Sequence, residues 1–311
     1  MLSRRSVRIK AMQLLFAVNR DKELSSEDAK ERFWSSIDDT FNLYLLNLAV
    51  MVNITRIAQK DLENRKKKHL PNDLDKIFKD KIYNNTLVKN LDLNTEFKKA
   101  LGPLNIEQII QSDYYDSMYN EFAKTQAYID YITKESSADD HLEILLELYR
   151  FCRQNELFNE IMEGYISTWV DDKSVVVGAV KKTLKALPQE KDDFFYQYKS
   201  TDETVKDFGY NLFSKTLEND EALLAQIEPT LKNWESDRIA VIDMILMKMA
   251  LSEMIGFSTI PVKVTINEYV EIAKNYSTAK SKEFINGVLD KIMKELEESG
   301  SLNKVDRNKD S

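Results

Sequence analysis

Glycine and proline are scarce in this chain, with 7 and 5 residues in 311. An all-β protein needs turn residues every ten or so positions, so this scarcity excludes one and points to long helices. Cysteine is nearly absent. The single Cys152 rules out an intrachain disulfide and a cysteine zinc cluster. The two histidines, His69 and His141, stand far apart and read as packing or surface residues rather than ligands. No uninterrupted apolar run approaches the roughly 20 residues that span a bilayer. The opening MLSRRSVRIKAMQLLFAVNR has a short apolar part, but Asn19-Arg20-Asp21-Lys22 follows it instead of a small-residue cleavage site. A cytoplasmic protein with no membrane partner is expected.

Apolar residues make up 43% of the chain, enough for a real core. The net charge of -8 argues against a general nucleic-acid binder. The average hides an asymmetry, however. The first ten residues carry Arg4, Arg5, Arg8 and Lys10 and no acid, and a basic patch is all that a local nucleic-acid site requires.

Helical periodicity runs through most of the chain. Ser3 is placed to cap a first helix whose core face is Val7, Ala11, Leu14, Leu15 and Val18, with Arg4, Arg5 and Arg8 on the side away from it. A short helix starting at Ser26 and a separate long one from Phe41 follow, the latter ending in Arg65–His69 before Pro71. The Asn-rich stretch from Asn72 to Asn94 reads as loop with short helical pieces. Helical signals return at Ile106–Ile110, Tyr114–Tyr131, Leu142–Tyr165 and Val175–Leu187. Further helices are expected at Lys206–Leu217, Asp220–Leu231 and Asp237–Ile255. Ile260-Pro261-Val262 reads as an extended connector. Thr265-Ile266-Asn267-Glu268 reads as a capping box that opens the next helix. The last helix has Gly287 in its interior, which a close helix–helix contact would explain. The tail beyond Ser299 is polar and is expected to be disordered.

Three segments carry a family signal: RRSVRIKAMQLLFA, NWESDRIAVIDMILMKMALSEM, and IPVKVTINEYVEIAKNYSTAKSKEFINGVLDKI. Together they resemble the NusB family over roughly residues 1–24 and 200–297. The resemblance implies an all-α, NusB-like helical bundle with a large helical insertion. Residues 1–30 would give the Arg-rich first helix, 31–200 the insertion, 201–299 the rest of the bundle and 300–311 the tail. It further implies a non-enzymatic adaptor without cofactor or metal. Such an adaptor pairs with the small ribosomal protein NusE and binds boxA-type single-stranded RNA in the transcription elongation complex. This promotes antitermination on ribosomal RNA operons; DNA is not an expected partner. Alternatives from other classes are an accessory domain of an RNA cytosine methyltransferase and a protein-only helical scaffold.

On this resemblance, Arg4, Arg5 and Arg8 are expected to contact RNA phosphate. A cationic cluster at a helix start opposes the macrodipole, so something besides helix stability should favour it. Tyr276, Thr278, Lys280, Lys282 and Phe284, at the turn into the last helix, would add stacking, helix-end N–H groups and charge. Against this, Tyr276 and Phe284 have plain packing roles open to them. Some relatives are acidic at the position matching Lys280. Asp243, Met244 and Met247 are assigned to the NusE-facing surface, Asp243 as a charge inside an apolar helix and the methionines as adaptable packing groups. Core burial is the competing reading for either methionine. Glu268 is given a capping role only. The insertion is expected to hold its own core, centred on Leu142–Tyr165 and on Tyr114, Tyr115 and Tyr119.

Overall fold

A computed structural model describes residues 1–231, 239–302 and 304. The described residues contain helices and no strand, so the all-α expectation holds. In chain order the α-helices begin with α1 (Arg4–Arg20), α2 (Ser26–Lys66), α3 (Asp73–Ile77), α4 (Thr86–Asp92), α5 (Thr95–Leu101) and α6 (Ile106–Ile109). Next come α7 (Ser112–Phe122), α8 (Gln126–Thr133), α9 (Ala138–Gln154), α10 (Glu156–Tyr165) and α11 (Trp169–Ala186). The series ends with α12 (Asn211–Glu218), α13 (Asp220–Ile227), α14 (Val241–Gly256), α15 (Val262–Tyr276) and α16 (Ser281–Glu298). The expected helix start at Asp237 and most of the polar tail lie outside the described residues.

The chain divides into two compact units. One comprises Met1 and Asp38–Lys199; the other comprises Leu2–Ile37 and Ser200 onward. They are called the insert unit and the terminal unit below.

In the insert unit, side-chain caps cut the chain into short helices. Asn72, Asn85 and Asn94 each accept a backbone N–H at the start of α3, α4 and α5. The Asn-rich stretch is thus a succession of N-caps, residues whose short polar side chains replace the missing intrahelical acceptor. Thr125 divides the expected Tyr114–Tyr131 helix into α7 and α8 by capping Tyr128 N. Asn155 ends α9 in extended backbone and caps α10 at Phe158 N. The core is built on the apolar face of α2, with Tyr44, Leu48, Met51 and Ile54 buried. From α7 to α11 it takes Tyr119, Leu148, Tyr149, Phe158 and Trp169. Several of its buried hydroxyls are satisfied internally. Tyr149 donates to Asn47 Oδ1 at 3.0 Å, and Tyr44 and Thr183 share a bond of 2.7 Å. Tyr115 is buried and Tyr114 half-buried.

One expectation here is corrected. Residues 26–66 form a single helix rather than a short and a long one. The Ser35-Ser36 pair resembles a boundary, but Ser36 Oγ donates to the carbonyl of Phe33 inside the helix. No glycine or proline interrupts the run. By length and composition α2 is apolar enough to cross a membrane, yet 78% of its most apolar window is buried in the protein.

In the terminal unit, α14 packs against α1, α12, α13, α15 and α16, and α15 pairs with α16. The connection into α12 is a π-helical segment, Glu203–Tyr210. Close backbone approach explains its Gly209. A Cβ built there would lie 1.9 Å from Val7 Cγ1 and 3.2 Å from Phe33 Cζ. Gly287 has no such neighbour and is exposed, so the close helix contact expected of it belongs to Gly209 instead.

Candidate nucleic-acid interface

Ser3 caps α1, accepting from Ser6 N, as its position predicts. The arginines that follow do not share one environment. Arg4 and Arg5 are exposed, whereas Arg8 is only 3% exposed. This corrects the placement of Arg8 on the outer side of α1. Its Nε and Nη2 donate to the two carboxylate oxygens of Glu253 at 2.8 and 2.7 Å. Glu253 is itself fully buried, near the end of α14. Thr265 Oγ1 and Tyr269 OH, both on α15, donate to the same carboxylate at 2.8 and 3.0 Å. Each oxygen of Glu253 therefore accepts twice. The Arg8 guanidinium also lies 4.8 Å from the Phe208 ring centroid. Burial works against the Arg8 charge, but the hydrogen bonds and charge of Glu253 outweigh it and raise the guanidinium above its ordinary pKa. Burial, and then the charge of Glu253, push the Tyr269 hydroxyl far up. The cluster is a structural tie between α1, α14 and α15.

Glu268 is the second tie. It accepts from Arg5 Nε and Nη2 at 2.8 and 2.7 Å and is approached by Arg8 Nη1 at 3.4 Å. It does not close a capping box. The helix begins three residues before Thr265, at Val262, with Pro261 at the N-cap. Thr265 and Glu268 consequently fall inside α15, where one turns to Glu253 and the other to the arginines. Proline at a helix start needs no N–H, which is why IPV begins a helix rather than serving as a connector.

The hydrogen bonds of Arg5, followed by the charges of Arg5 and Arg8, hold the Glu268 carboxyl below its ordinary value of 4.5. A depressed carboxyl contributes stability that is fully present above the unfolded value and is lost as pH falls through the folded one. We expect Arg5→Ala to lower stability modestly at neutral pH, because the pair is partly solvated, with the deficit shrinking as pH falls below about 4.5 so that the two curves converge in acid. Urea midpoints between pH 3 and 7 check this; parallel curves for parent and variant would show that the pair carries no linkage.

The turn between α15 and α16 is held by Asp243, in the first turn of α14. Ser277 Oγ and Ser281 Oγ donate to its two oxygens at 2.5 and 2.7 Å. Ser281 Oγ also meets Thr278 through the backbone N–H at 3.2 Å and the hydroxyl at 2.8 Å. Asp243 is 4% exposed. Its expected placement facing a partner is therefore corrected: the carboxylate faces inward, onto hydroxyls. Met247 is wholly buried, which corrects its placement on the same surface. Met244 is half-buried and lines a surface groove of about 390 Å³ with Leu15, Val18, Lys22 and Lys248.

Thr278 and Lys280 are exposed on this turn, and Tyr276, Lys282 and Phe284 are half-buried. Lys282 pairs with Glu283 at 3.1 Å. Asn286 bonds forward to Asp290 at 3.0 Å rather than to the preceding turn. Glu268 and Tyr276 are eight residues apart on α15, about 12 Å along the helix. The Arg5 region and the α15–α16 turn are thus brought along one helix. Arg4 pairs with Glu203 at 3.4 Å, both side chains being well exposed, and its guanidinium lies 5.5 Å from the Phe208 ring centroid.

Glu253 and Tyr269 are organising residues with no role assigned from the sequence, and Thr265 is one with only a cap assigned. The signal was available: Glu253, like Asp243, is a charge inside an apolar helix.

The sequence model of the NusB family matches residues 172–294. That range begins within α11 and contains Asp243, Glu253 and the α15–α16 turn, but not α1. The chain is similar to the transcription antitermination protein NusB of Salinibacter ruber, 44% identical over 106 residues, 34% of this chain and 66% of that protein. It is 41% identical to that of Chloroherpeton thalassium over 103 residues, 33% of this chain and 49% of the relative. It is 36% identical to that of Natranaerobius thermophilus over 110 residues, 35% of this chain and 74% of the relative. The match thus spans less than two thirds of the first two relatives' own length. None of the solved structures matches the chain. With three quarters of the Natranaerobius protein covered at this identity, the chain belongs to the NusB family.

Proposed function

We propose that this protein is a cytoplasmic, non-enzymatic adaptor of transcription antitermination. It binds boxA-type single-stranded RNA together with the ribosomal protein NusE and acts on ribosomal RNA operons within the elongation complex. The observation that carries this reading is the family match over 172–294. That segment includes the exposed Thr278 and Lys280 and the half-buried Tyr276 and Lys282, a mixture of hydroxyl, ammonium and ring groups suited to single-stranded RNA. Arg4 and Arg5 extend the cationic surface from outside the matched range. Arg8 does not belong to it, because its guanidinium is consumed by Glu253.

The test is an anisotropy titration of a boxA-type RNA with the protein and NusE over a range of salt. Arg4→Ala/Arg5→Ala is expected to weaken binding and to lower the log–log salt slope by about 0.7 for each lost phosphate contact. Unchanged affinity and slope would remove α1 from the RNA site. A protein-only scaffold would bind NusE without RNA at any salt. The methyltransferase reading needs a thiolate nucleophile. Burial instead pushes the Cys152 thiol well up, and no part of the residue reaches solvent.

A further inference from the structure

The basic run at the end of α2 is not used by the surface proposed above. From Arg65 to Lys79 the chain carries six lysines and arginines and two acids, and between Asn64 and Asn72 it carries no acid at all. The chain as a whole has a net charge of -8, so this excess is local. Cations in a last helical turn offset the negative helix end, which accounts for Arg65 and Lys66. Lys67, Lys68 and His69 lie beyond α2, and Lys79 lies beyond α3.

The loop between α2 and α3 is built around one buried carboxylate. The side chain of Asp75 is 1% exposed, and one of its oxygens accepts from Arg65 Nη1 at 2.7 Å and Lys68 Nζ at 2.8 Å. The other accepts from Asn72 N at 3.1 Å and so closes the capping box that starts α3. Arg65 also lies 4.4 Å from the Phe78 ring centroid, which brings Lys79, next in the chain, to the same end of α2. Arg65 and Lys68 are thereby spent on the fold. Lys66, Lys67 and Lys79 are exposed, and among the described residues none of the three makes an ion pair. The exposed acids nearest in sequence are Glu63, on α2, and Asp73, which pairs with Lys76 at 2.9 Å.

Grouped, unanswered lysines on a fixed loop make a positive surface, and what surrounds them selects its partner. A segment that lies on a membrane needs an apolar face beside its cations. Here Leu74 is half-buried and Phe78 buried, which leaves Leu70 and Ile77 as single exposed aliphatic residues. A protein interface is anchored by buried aromatic groups or arginine, and no Phe, Tyr or Trp is exposed between Arg65 and Lys79. Phosphate needs only the charge.

We infer that the α2–α3 loop is a second RNA contact, in which Lys66, Lys67 and Lys79 pair with backbone phosphates and read no sequence. That the polyanion is RNA rests on the role proposed above; the phosphate contacts themselves do not depend on boxA or on NusE.

The test is an anisotropy titration of the full chain, without NusE, against a labelled oligouridine, which has no boxA element, from low to moderate salt. Lys66→Gln/Lys67→Gln/Lys79→Gln is expected to weaken binding on the order of tenfold at low salt and to lower the log–log slope by about 2, at roughly 0.7 for each lost contact. Its melting temperature should stay close to that of the parent, since none of the three lysines has a side-chain partner in the fold. The effect should persist when Arg4→Ala/Arg5→Ala is also present. Asp73→Asn removes an exposed acid from the loop and should tighten binding at low salt but not at high salt. If boxA RNA with NusE bound no better than oligouridine, the boxA reading would fail while the loop result stood. Three results would overturn the inference. One is a glutamine variant that keeps the affinity and slope of the parent. Another is a need for the three lysines in sedimentation with phosphatidylglycerol vesicles while RNA binding is unchanged. The third is duplex DNA bound more tightly than RNA through the same lysines.

Discussion

Replacing Arg8 by alanine is expected to lower the stability of the terminal unit by about 3–5 kcal/mol, the cost of leaving one member of a buried ion pair alone. Glu253 has no access to solvent. It sits near the carboxyl end of α14, where the partial charge of the helix end already disfavours a carboxylate. Without Arg8 it keeps only the hydroxyls of Thr265 and Tyr269 as donors. Arg8→Lys should recover little of the loss, because an ammonium cannot present two parallel N–H groups to both oxygens. The double replacement Arg8→Met/Glu253→Leu should cost clearly less than the two single ones added together. Its residual penalty, about 1–3 kcal/mol, comes from the two hydroxyls that lose their acceptor. Urea unfolding followed by circular dichroism measures all four proteins, with the transition of the terminal unit fitted separately from that of the insert unit. Additive single effects, or a loss below about 1 kcal/mol for Arg8→Ala, would show that the pair is not the tie described. The same experiment bears on function. A triple alanine replacement at Arg4, Arg5 and Arg8 would mix destabilisation with loss of RNA contacts, so only the variant that spares Arg8 reports on RNA.

Much of this arrangement was legible from spacing and composition. The scarcity of glycine and proline pointed to the helical class. The third segment, IPVKVTINEYVEIAKNYSTAKSKEFINGVLDKI, gave the family. What could not be read was which charged side chains turn inward. Helical periodicity sorts residues by average polarity, and Arg8 sorts with the outer face. Its burial depends on a carboxylate 245 positions away in sequence, which no local pattern contains. The capping box at Thr265–Glu268 failed for a related reason. Its residues have the right local chemistry, but tertiary donors and acceptors outbid the backbone, and Pro261 had already started the helix. The glycines show the same limit. Gly209 and Gly287 look alike in sequence, and only the position of Val7 tells them apart. In the insert unit the short caps were visible as asparagines, whereas the sorting of the basic run by Asp75, which takes Arg65 and Lys68 and leaves Lys66 and Lys67, depends on how α3 turns back.

Asp243→Ala is expected to cost about 3–4 kcal/mol and to weaken RNA binding without touching RNA. The carboxylate accepts two hydroxyl donors, and hydrogen bonds to a charged group contribute about 1.5–3 kcal/mol each. Ser277 and Ser281 still have each other at 3.0 Å, and Ser281 keeps Thr278, which places the cost at the lower end of the sum. A further small loss arises because an acid in the first turn of α14 complements the positive helix end. The released turn carries Thr278 and Lys280, and it sets the start of α16. Its loosening adds an ordering cost to every binding event, so RNA affinity should fall by a similar factor at all salt concentrations. The salt slope should stay that of the parent, because no phosphate contact is lost. This separates Asp243 from Arg4 and Arg5, whose removal changes the slope itself. Asp243→Asn keeps acceptor capacity on one side and should recover part of both effects. If Asp243→Ala were as stable as the parent but failed to bind NusE, the carboxylate would be a partner contact after all, and the inward hydrogen bonds to Ser277 and Ser281 would carry no weight in the fold.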